Sequence, residues 1–384
     1  MLLQSKPPLH LTYCLNIHPG ESWPENLAAI RRYTLEVRRQ VAPRQPYGLG
    51  LRLSKMAADH LSIPARRREA RYFFDQNQLY IFTINGFPYG LFHGVRVKDR
   101  VYAPDWRQAE RLLYTRQLAD ILADFLPKGV SGSISTVPGT FKPWLRNTPE
   151  VRPIVTNLRA CAEHLARLQD KTGCEIHVGL EPEPGCLLET TDETVRFFQE
   201  ELFGKARDDA ERDRLRRHIG VCLDTCHVAM QFEDPVEAVR KYQAAGIRIS
   251  KIQLSAALEV AHDGVAALAP FQDDVYLHQT TALFPDGQRR SWMDLPDFLA
   301  DAAARETCER VRVHFHLPLF FQGMDALEST VAGLTRGFFD LLLKGVTEHL
   351  EIETYTFSVL PPELRAGEVT DSLVREFRWV QGRL

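Results

Sequence analysis

Ile176-His-Val-Gly-Leu-Glu-Pro-Glu-Pro-Gly185 and Ile219-Gly-Val-Cys-Leu-Asp-Thr-Cys-His227 decide the reading of this chain. Each is a short, apolar, β-branched run that stops on a carboxylate. Runs of this length read as strands buried on both faces. Working outward, the same kind of run recurs at Leu11–Ile17, Tyr47–Leu53, Leu79–Phe87, Gly132–Val137, Ile249–Leu254, Val311–Leu317 and His349–Tyr355. Between most of them lie helical patterns. One is Pro24–Val41, with Leu27, Ile30, Tyr33 and Val37 at spacings of three and four; another is Trp106–Leu126.

Strands alternating with helices of this length predict βαβ units and a parallel sheet. The 384 residues fit one (β/α)8 TIM barrel spanning residues 1–384 as a single domain. The strand count, however, is nine. Tyr276–Trp292 also reads as a polar hairpin around Pro285-Asp-Gly287. Either one strand lies outside the barrel, or the stretch near 255–310 is an inserted hairpin or extra βα unit. No Gly-x-Gly-x-x-Gly turn follows a strand, which leaves a dinucleotide fold without support.

Composition narrows the function. Apolar residues make up 44% and charged residues 25%, ordinary values for a globular chain. The net charge is −3, and the basic runs at Arg67–Arg71 and Arg212–Arg217 read as solvated helix faces, so no nucleic-acid footprint is expected. No stretch reaches the apolar length of a membrane span, and Met1–Pro8 lacks the pattern of a secretory signal. Seven Cys fall at irregular spacings; Cys222 and Cys226, flanking Asp224, read as small core residues rather than a disulfide framework, and the expected location is cytoplasmic.

Several strands end in ionisable groups: Glu181, Asp224, the pair His314 and His316, and the pair Glu351 and Glu353. In a barrel the strand C-termini converge on one mouth. Three carboxylates and a histidine crowded there would repel as anions unless a divalent cation neutralised them. Mixed O and N ligands suit Mn²⁺, Mg²⁺, Zn²⁺ or Co²⁺ without choosing among them. Plainer roles also exist: Asp224 as a structural cap, His227 as a rim histidine, His314 as a stacked core residue, and Glu183 as an exposed loop residue. His314 and His316, two apart on a strand, share a face. Loops after the early strands offer His18, Asn85 and His93, with Tyr13, Asn16, Phe87, Tyr89, Lys142 and Trp144, as substrate contacts.

The ordered set Leu180-Glu181, Leu223-Asp-Thr-Cys-His227, His314-Phe-His-Leu317 and Leu350-Glu-Ile-Glu353 resembles the xylose-isomerase-like superfamily of sugar isomerases and epimerases. Longer strings also resemble a family of bacterial metabolite-traffic proteins within it. They are Tyr13-Cys-Leu-Asn-Ile-His-Pro-Gly-Glu-Ser-Trp23, Asn85-Gly-Phe-Pro-Tyr-Gly90, Gly132–Thr136, Leu180–Thr190 and Glu351–Tyr355. The resemblance implies one divalent metal held by Glu181, Asp224, a third ligand and Glu353. It implies that Glu181 and Glu353 are the catalytic acid/base pair and that His227 orients substrate. It also implies a small polyol or sugar-like substrate, which Glu183 and His314 would help to hold. The third ligand departs from the pattern. The strand after Asp224 carries Gln253 where the superfamily has histidine, and His316 comes about sixty residues later, so the ligand is either His316 or Gln253. A non-catalytic binding protein and, with less support, a metal-dependent endonuclease are the rival functions. The partners expected are a small molecule and, at most, a second copy in a homodimer.

Overall fold

The structure is a computed structural model that describes residues 1–146, 150–361, 365 and 367–384. Among the described residues, fifteen strands form two sheets. The first holds the hairpin strand β1 (Leu2–Ser5) and the barrel strands β2 (Pro8–Tyr13), β3 (Tyr47–Arg52), β4 (Leu79–Asn85), β5 (Gly132–Thr136), β6 (Ile176–Leu180), β7 (Ile219–Asp224) and β8 (Ile249–Leu254). The second holds β9 (Ala256–Ala261), β10 (Thr280–Leu283), β11 (Arg289–Trp292), β12 (Arg310–Leu317), β13 (Gly323–Met324) and β14 (Leu327–Ser329). The chain then returns to the barrel as β15 (His349–Ile352).

The barrel order is β2-β15-β8-β7-β6-β5-β4-β3, all parallel. A parallel bridge between Cys14 and Gly50 joins β2 to β3 and closes the ring. Gly50 is required there, because a Cβ would stand 2.4 Å from Glu351 Oε1 and 2.7 Å from the Tyr13 carbonyl. Helices such as Ala109–Phe125 and Val151–Thr172 cover the outside, packing Leu118, Leu122, Leu158 and Leu165 into the main core.

The ninth strand is β12, which lies outside the barrel. The departure begins at Ser255, directly after β8, and runs past residue 310 to β14, so the insertion is longer than the 255–310 stretch. The expected hairpin is present as β10 paired with β11. All pairings in this second sheet are antiparallel, in the order β11-β10-β12-β9-β14-β13. Val311, Val313, Phe315 and Leu317 on one face of β12 pack into a separate small core with Leu258, Val260, Leu295 and Phe298. Period-two alternation then turns Arg312, His314 and His316 the other way, towards the barrel mouth.

Inside the barrel, Lys251 and Glu351 form an ion pair with no exposure on either side chain, and Lys251 Nζ also donates to Thr83 Oγ1 at 3.3 Å. Removing one member of such a pair leaves an uncompensated buried charge. Lys251→Met is expected to cost about 3–5 kcal/mol in urea unfolding, and adding Glu351→Leu should restore most of that loss. If the double variant were no more stable than the single, the pairing would not account for the cost.

A second buried carboxylate ties the insertion to the closing helix, Val369–Gln381. Glu376 accepts from the Leu319 amide at 3.1 Å and from Thr354 Oγ1 at 3.2 Å. Burial pushes its carboxyl up to about 8, against the pull of those hydrogen bonds, from an ordinary 4.5. Between these values the folded chain holds a proton that the unfolded chain releases, so this group's contribution to stability falls as pH rises through that window. Glu376→Gln removes the titration. Its melting temperature relative to the unsubstituted chain should therefore increase from about pH 5 to about pH 8; a constant difference would contradict the assignment.

Candidate active site

Each strand end delivers its side chain by a local rule. Glu181 follows β6, and its amide continues the ladder onto the Thr136 carbonyl at 3.0 Å. Glu353 follows β15, with its amide on the Leu254 carbonyl at 3.0 Å. Asp224 ends β7 and caps the helix Thr225–Met230. Its Oδ1 accepts from the amides of Cys226 (2.7 Å) and His227 (3.2 Å) and from Ser255 Oγ (2.5 Å). Asp224 is therefore a cap, yet only one oxygen is used. Its Oδ2 is buried and has no hydrogen-bond partner.

One carboxylate oxygen from each of Glu181, Asp224 and Glu353 lies within 4.8 Å of the other two, and all three residues are buried. Burial first, and then the charge of Asp224, holds the Glu181 carboxyl well above its ordinary range; burial and then the charges of Glu181 and Asp224 do the same to Glu353. For Asp224, burial is outweighed by His227, His316 and the hydrogen bond from Ser255, and the carboxyl is held below its ordinary range. A ring of three carboxylates with a vacant buried oxygen fits a hard or borderline divalent cation.

Neutral amides hold the two glutamates in place. Asn16 Nδ2 (2.8 Å) and Asn85 Nδ2 (3.2 Å) donate to Glu353 Oε1. The Gln253 amide, oriented with its NH₂ outward, donates to both Glu181 oxygens at 2.9 and 3.2 Å. Gln253 thus meets the site as a donor to Glu181.

Three imidazoles complete the mouth. His314 and His316 come from β12, where the register against β9 slips between Val313 and Leu317. Such irregularities re-aim side chains beside functional sites. His227 Nδ1 lies 2.9 Å from the Pro182 carbonyl, His314 Nδ1 2.7 Å from Gln279 Oε1, and His316 Nδ1 2.8 Å from the Glu353 carbonyl. A carbonyl oxygen only accepts, so each Nδ1 carries the hydrogen. Burial lowers His316 to about 4 and His314 well below the usual range, leaving both neutral with lone pairs on Nε2.

Glu181, Glu183, Glu353, His227 and His314 line a cavity at the barrel mouth. Phe87, Phe92, Tyr102, Tyr276 and Tyr355 add an aromatic lining, and Asn85 and Lys98 also face it. This mix of aromatic and polar groups suits a small ligand. Burial pushes the Glu183 carboxyl up to about 7. His18 and His93 are not among the lining residues. His18 stacks on Tyr33 at 4.3 Å, and His93 lies 3.9 Å from Glu21. Sequence reading missed Tyr102, Tyr276 and Gln279. The last two fall in and beside the hairpin of the insertion, where no periodicity marks a residue that reaches back to the barrel.

Among the described residues, no helix is long and apolar enough to cross a membrane. No protein-family model matches the chain, and no curated protein matches it in sequence. Solved structures match in fold. A xylose isomerase domain protein from Planctomyces limnophilus superposes with a TM-score of 0.50 at 14% identity, over 98% of this chain and 95% of its own. A provisionally named xylose isomerase from Rhodospirillum rubrum does so with a TM-score of 0.50 at 14% identity, over 97% and 98%. By fold, the chain is a xylose-isomerase-like TIM barrel with an antiparallel sheet inserted between its last two strands.

Proposed function

We propose that this chain is a metal-dependent isomerase or epimerase of a sugar or cyclitol ketone, with all 384 residues acting as one unit. The observation that carries the reading is the buried triad Glu181, Asp224 and Glu353, of which only the two glutamates reach the cavity. Asp224 is withdrawn behind them, as suits a residue that binds an ion and does no proton transfer. Glu181, Asp224 and Glu353 would hold the ion with His316, whose Nε2 carries no hydrogen and which clusters with Asp224 and His227; Gln253, already donating to Glu181, is the poorer candidate. A divalent ion bound there would supply Lewis-acid polarisation of the substrate carbonyl and its neighbouring hydroxyl.

The chain's own groups perform the rest. One of Glu181 and Glu353 removes the proton beside the carbonyl, and the other returns a proton to the enediolate, at the neighbouring carbon for isomerisation or on the opposite face for epimerisation. Raised carboxyls allow each glutamate to exist in the acid form that returning a proton requires. Asn16, Asn85 and Gln253 keep the carboxylates aimed. The aromatic wall suits the apolar face of a ring, and His227 would orient a substrate oxygen.

The longer sequence strings resemble the E protein of the bacterial Ebo cluster, and that resemblance implies a small ring-shaped polyol as the substrate. A carrier that binds such a molecule without turnover is the second reading, favoured by Gln253 standing where the superfamily has histidine. Sugars and cyclitol ketones screened for thermal stabilisation of the metal-loaded protein should yield a ligand, because a ligand of the folded state alone raises the melting temperature. Incubation should then convert that ligand into an isomer or epimer. Recovery of the ligand unchanged would favour the carrier.

A further inference from the structure

Charge decides which sugars the cavity can admit. Glu181, Glu183 and Glu353 place three carboxyl groups on its lining. A divalent ion held by Glu181, Asp224 and Glu353 would bring two positive charges to three carboxylates, leaving none over for an anionic ligand. Among the described residues, Lys98 is the one lysine or arginine that lines the cavity.

Lys98 is not free to serve a ligand. Its Nζ donates to Asp294 Oδ2 at 2.7 Å and to the Asp273 carbonyl at 2.9 Å, both on the insertion. The Lys98 and Asp294 side chains are only 13% and 18% exposed, so solvent screens the pair weakly. Asp294 is fixed in turn, because its Oδ1 accepts from the amides of His278 at 3.0 Å and Leu295 at 3.1 Å and caps the helix Leu295–Ala300.

The backbone is engaged in the same way. Val97 is right-handed, with φ −82° and ψ −58°, and Lys98 follows in the left-handed region with φ 42°. Successive amides in that arrangement form a concavity that binds anions in other proteins. Here the amides of Val97 and Lys98 both donate to the Val275 carbonyl, at 2.9 and 3.1 Å, so the insertion fills the concavity itself. The guanidiniums that meet this loop also face protein oxygens. Arg52 donates to Glu21 Oε2 at 2.6 Å and to the Gly90 carbonyl at 2.7 Å. Arg111 donates to the carbonyls of Pro104 (2.7 Å), Gly86 (2.8 Å) and Phe87 (3.1 Å).

We infer that Asp294 is a specificity-determining residue. By holding Lys98 it withdraws the one side-chain cation that a phosphate or carboxylate group could use, so the cavity takes uncharged polyols and ketones and rejects sugar phosphates and sugar acids. Leaving the wrong ligand unpaired discriminates as well as adding contacts to the right one. The inference rests on the isomerase reading only in placing the substrate in this cavity.

Titration calorimetry of the full, metal-free chain with inorganic phosphate at constant ionic strength tests this without any sugar. Asp294→Asn keeps an oxygen to cap the helix and releases Lys98. It should bind phosphate about tenfold or more tightly than the unsubstituted chain, because a charge-assisted hydrogen bond from a weakly screened ammonium becomes available. Adding Lys98→Met should cancel the gain. Asp294→Ser, which can also cap a helix, takes the place of Asp294→Asn if circular dichroism shows the latter unfolded. No gain in a folded variant, a gain that survives Lys98→Met, or phosphate binding by the unsubstituted chain that Lys98→Met abolishes would overturn the inference. Failure to convert any sugar would count against the isomerase reading and leave the phosphate result standing.

Discussion

Asp224→Ala is expected to strip the barrel mouth of its carboxylate-bound ion. Asp224 supplies a buried carboxylate oxygen without a partner, and it stands in the tight group with Glu181 and Glu353. Loss of a residue that merely orients a ligand costs about 10–100-fold in metal affinity, so loss of a ligand should exceed about 10²-fold. The same substitution removes the cap of Thr225–Met230, worth about 1 kcal/mol, so thermal unfolding of metal-free protein should be followed alongside. Asp224→Asn separates the two roles, because an amide oxygen can still cap the helix while the charge is gone. Because burial and mutual repulsion hold Glu181 and Glu353 above their ordinary range, ion uptake displaces protons and weakens as pH falls. Calorimetry in buffers of different ionisation enthalpy would show the release. A full ion at the carboxylates of the Asp224→Asn protein would refute the site.

Glu181→Gln and Glu353→Gln should each slow proton transfer beside the substrate carbonyl by about 10²-fold or more, the scale of general acid–base catalysis. An amide keeps the shape of the side chain and can still contact an ion through its oxygen, but it cannot exchange a proton. Metal occupancy measured in the same samples divides loss of chemistry from loss of metal. Asn85→Ala offers a milder comparison. It removes one of two amides on Glu353 Oε1 and leaves the 2.8 Å bond from Asn16, so its effect should be smaller than that of either glutamate substitution.

Much of the site was legible because three carboxylates each follow an apolar run. Leu180-Glu181, Leu223-Asp224 and Ile352-Glu353 announce strand ends, and parallel strands in a barrel end on one face. The shared face of His314 and His316 was legible from their spacing of two. The location of their strand was not settled, although a signal existed. Arg310-Val-Arg-Val-His-Phe-His-Leu317 alternates polar and apolar without a break, the pattern of an antiparallel strand covered on one side. A barrel strand such as Ile249-Ser-Lys-Ile-Gln-Leu254 does not alternate so cleanly, because its interior face is also buried. The partner of Lys251 could not be read either, since the pair with Glu351 joins residues 100 apart through strand order alone. The same holds for Gln279, which reaches His314 and Tyr102 only because the insertion folds back over the mouth.

Solvent exchange tests the central claim most directly. Metal-loaded protein is incubated in deuterium oxide with a sugar or cyclitol ketone chosen by thermal stabilisation, and the hydrogen beside the carbonyl is followed by proton NMR. The account predicts that this hydrogen washes out, that an isomer or epimer accumulates, and that both processes fail in Glu181→Gln and Glu353→Gln. A metal-loaded protein that binds the ligand tightly, exchanges no hydrogen and forms no product would contradict it.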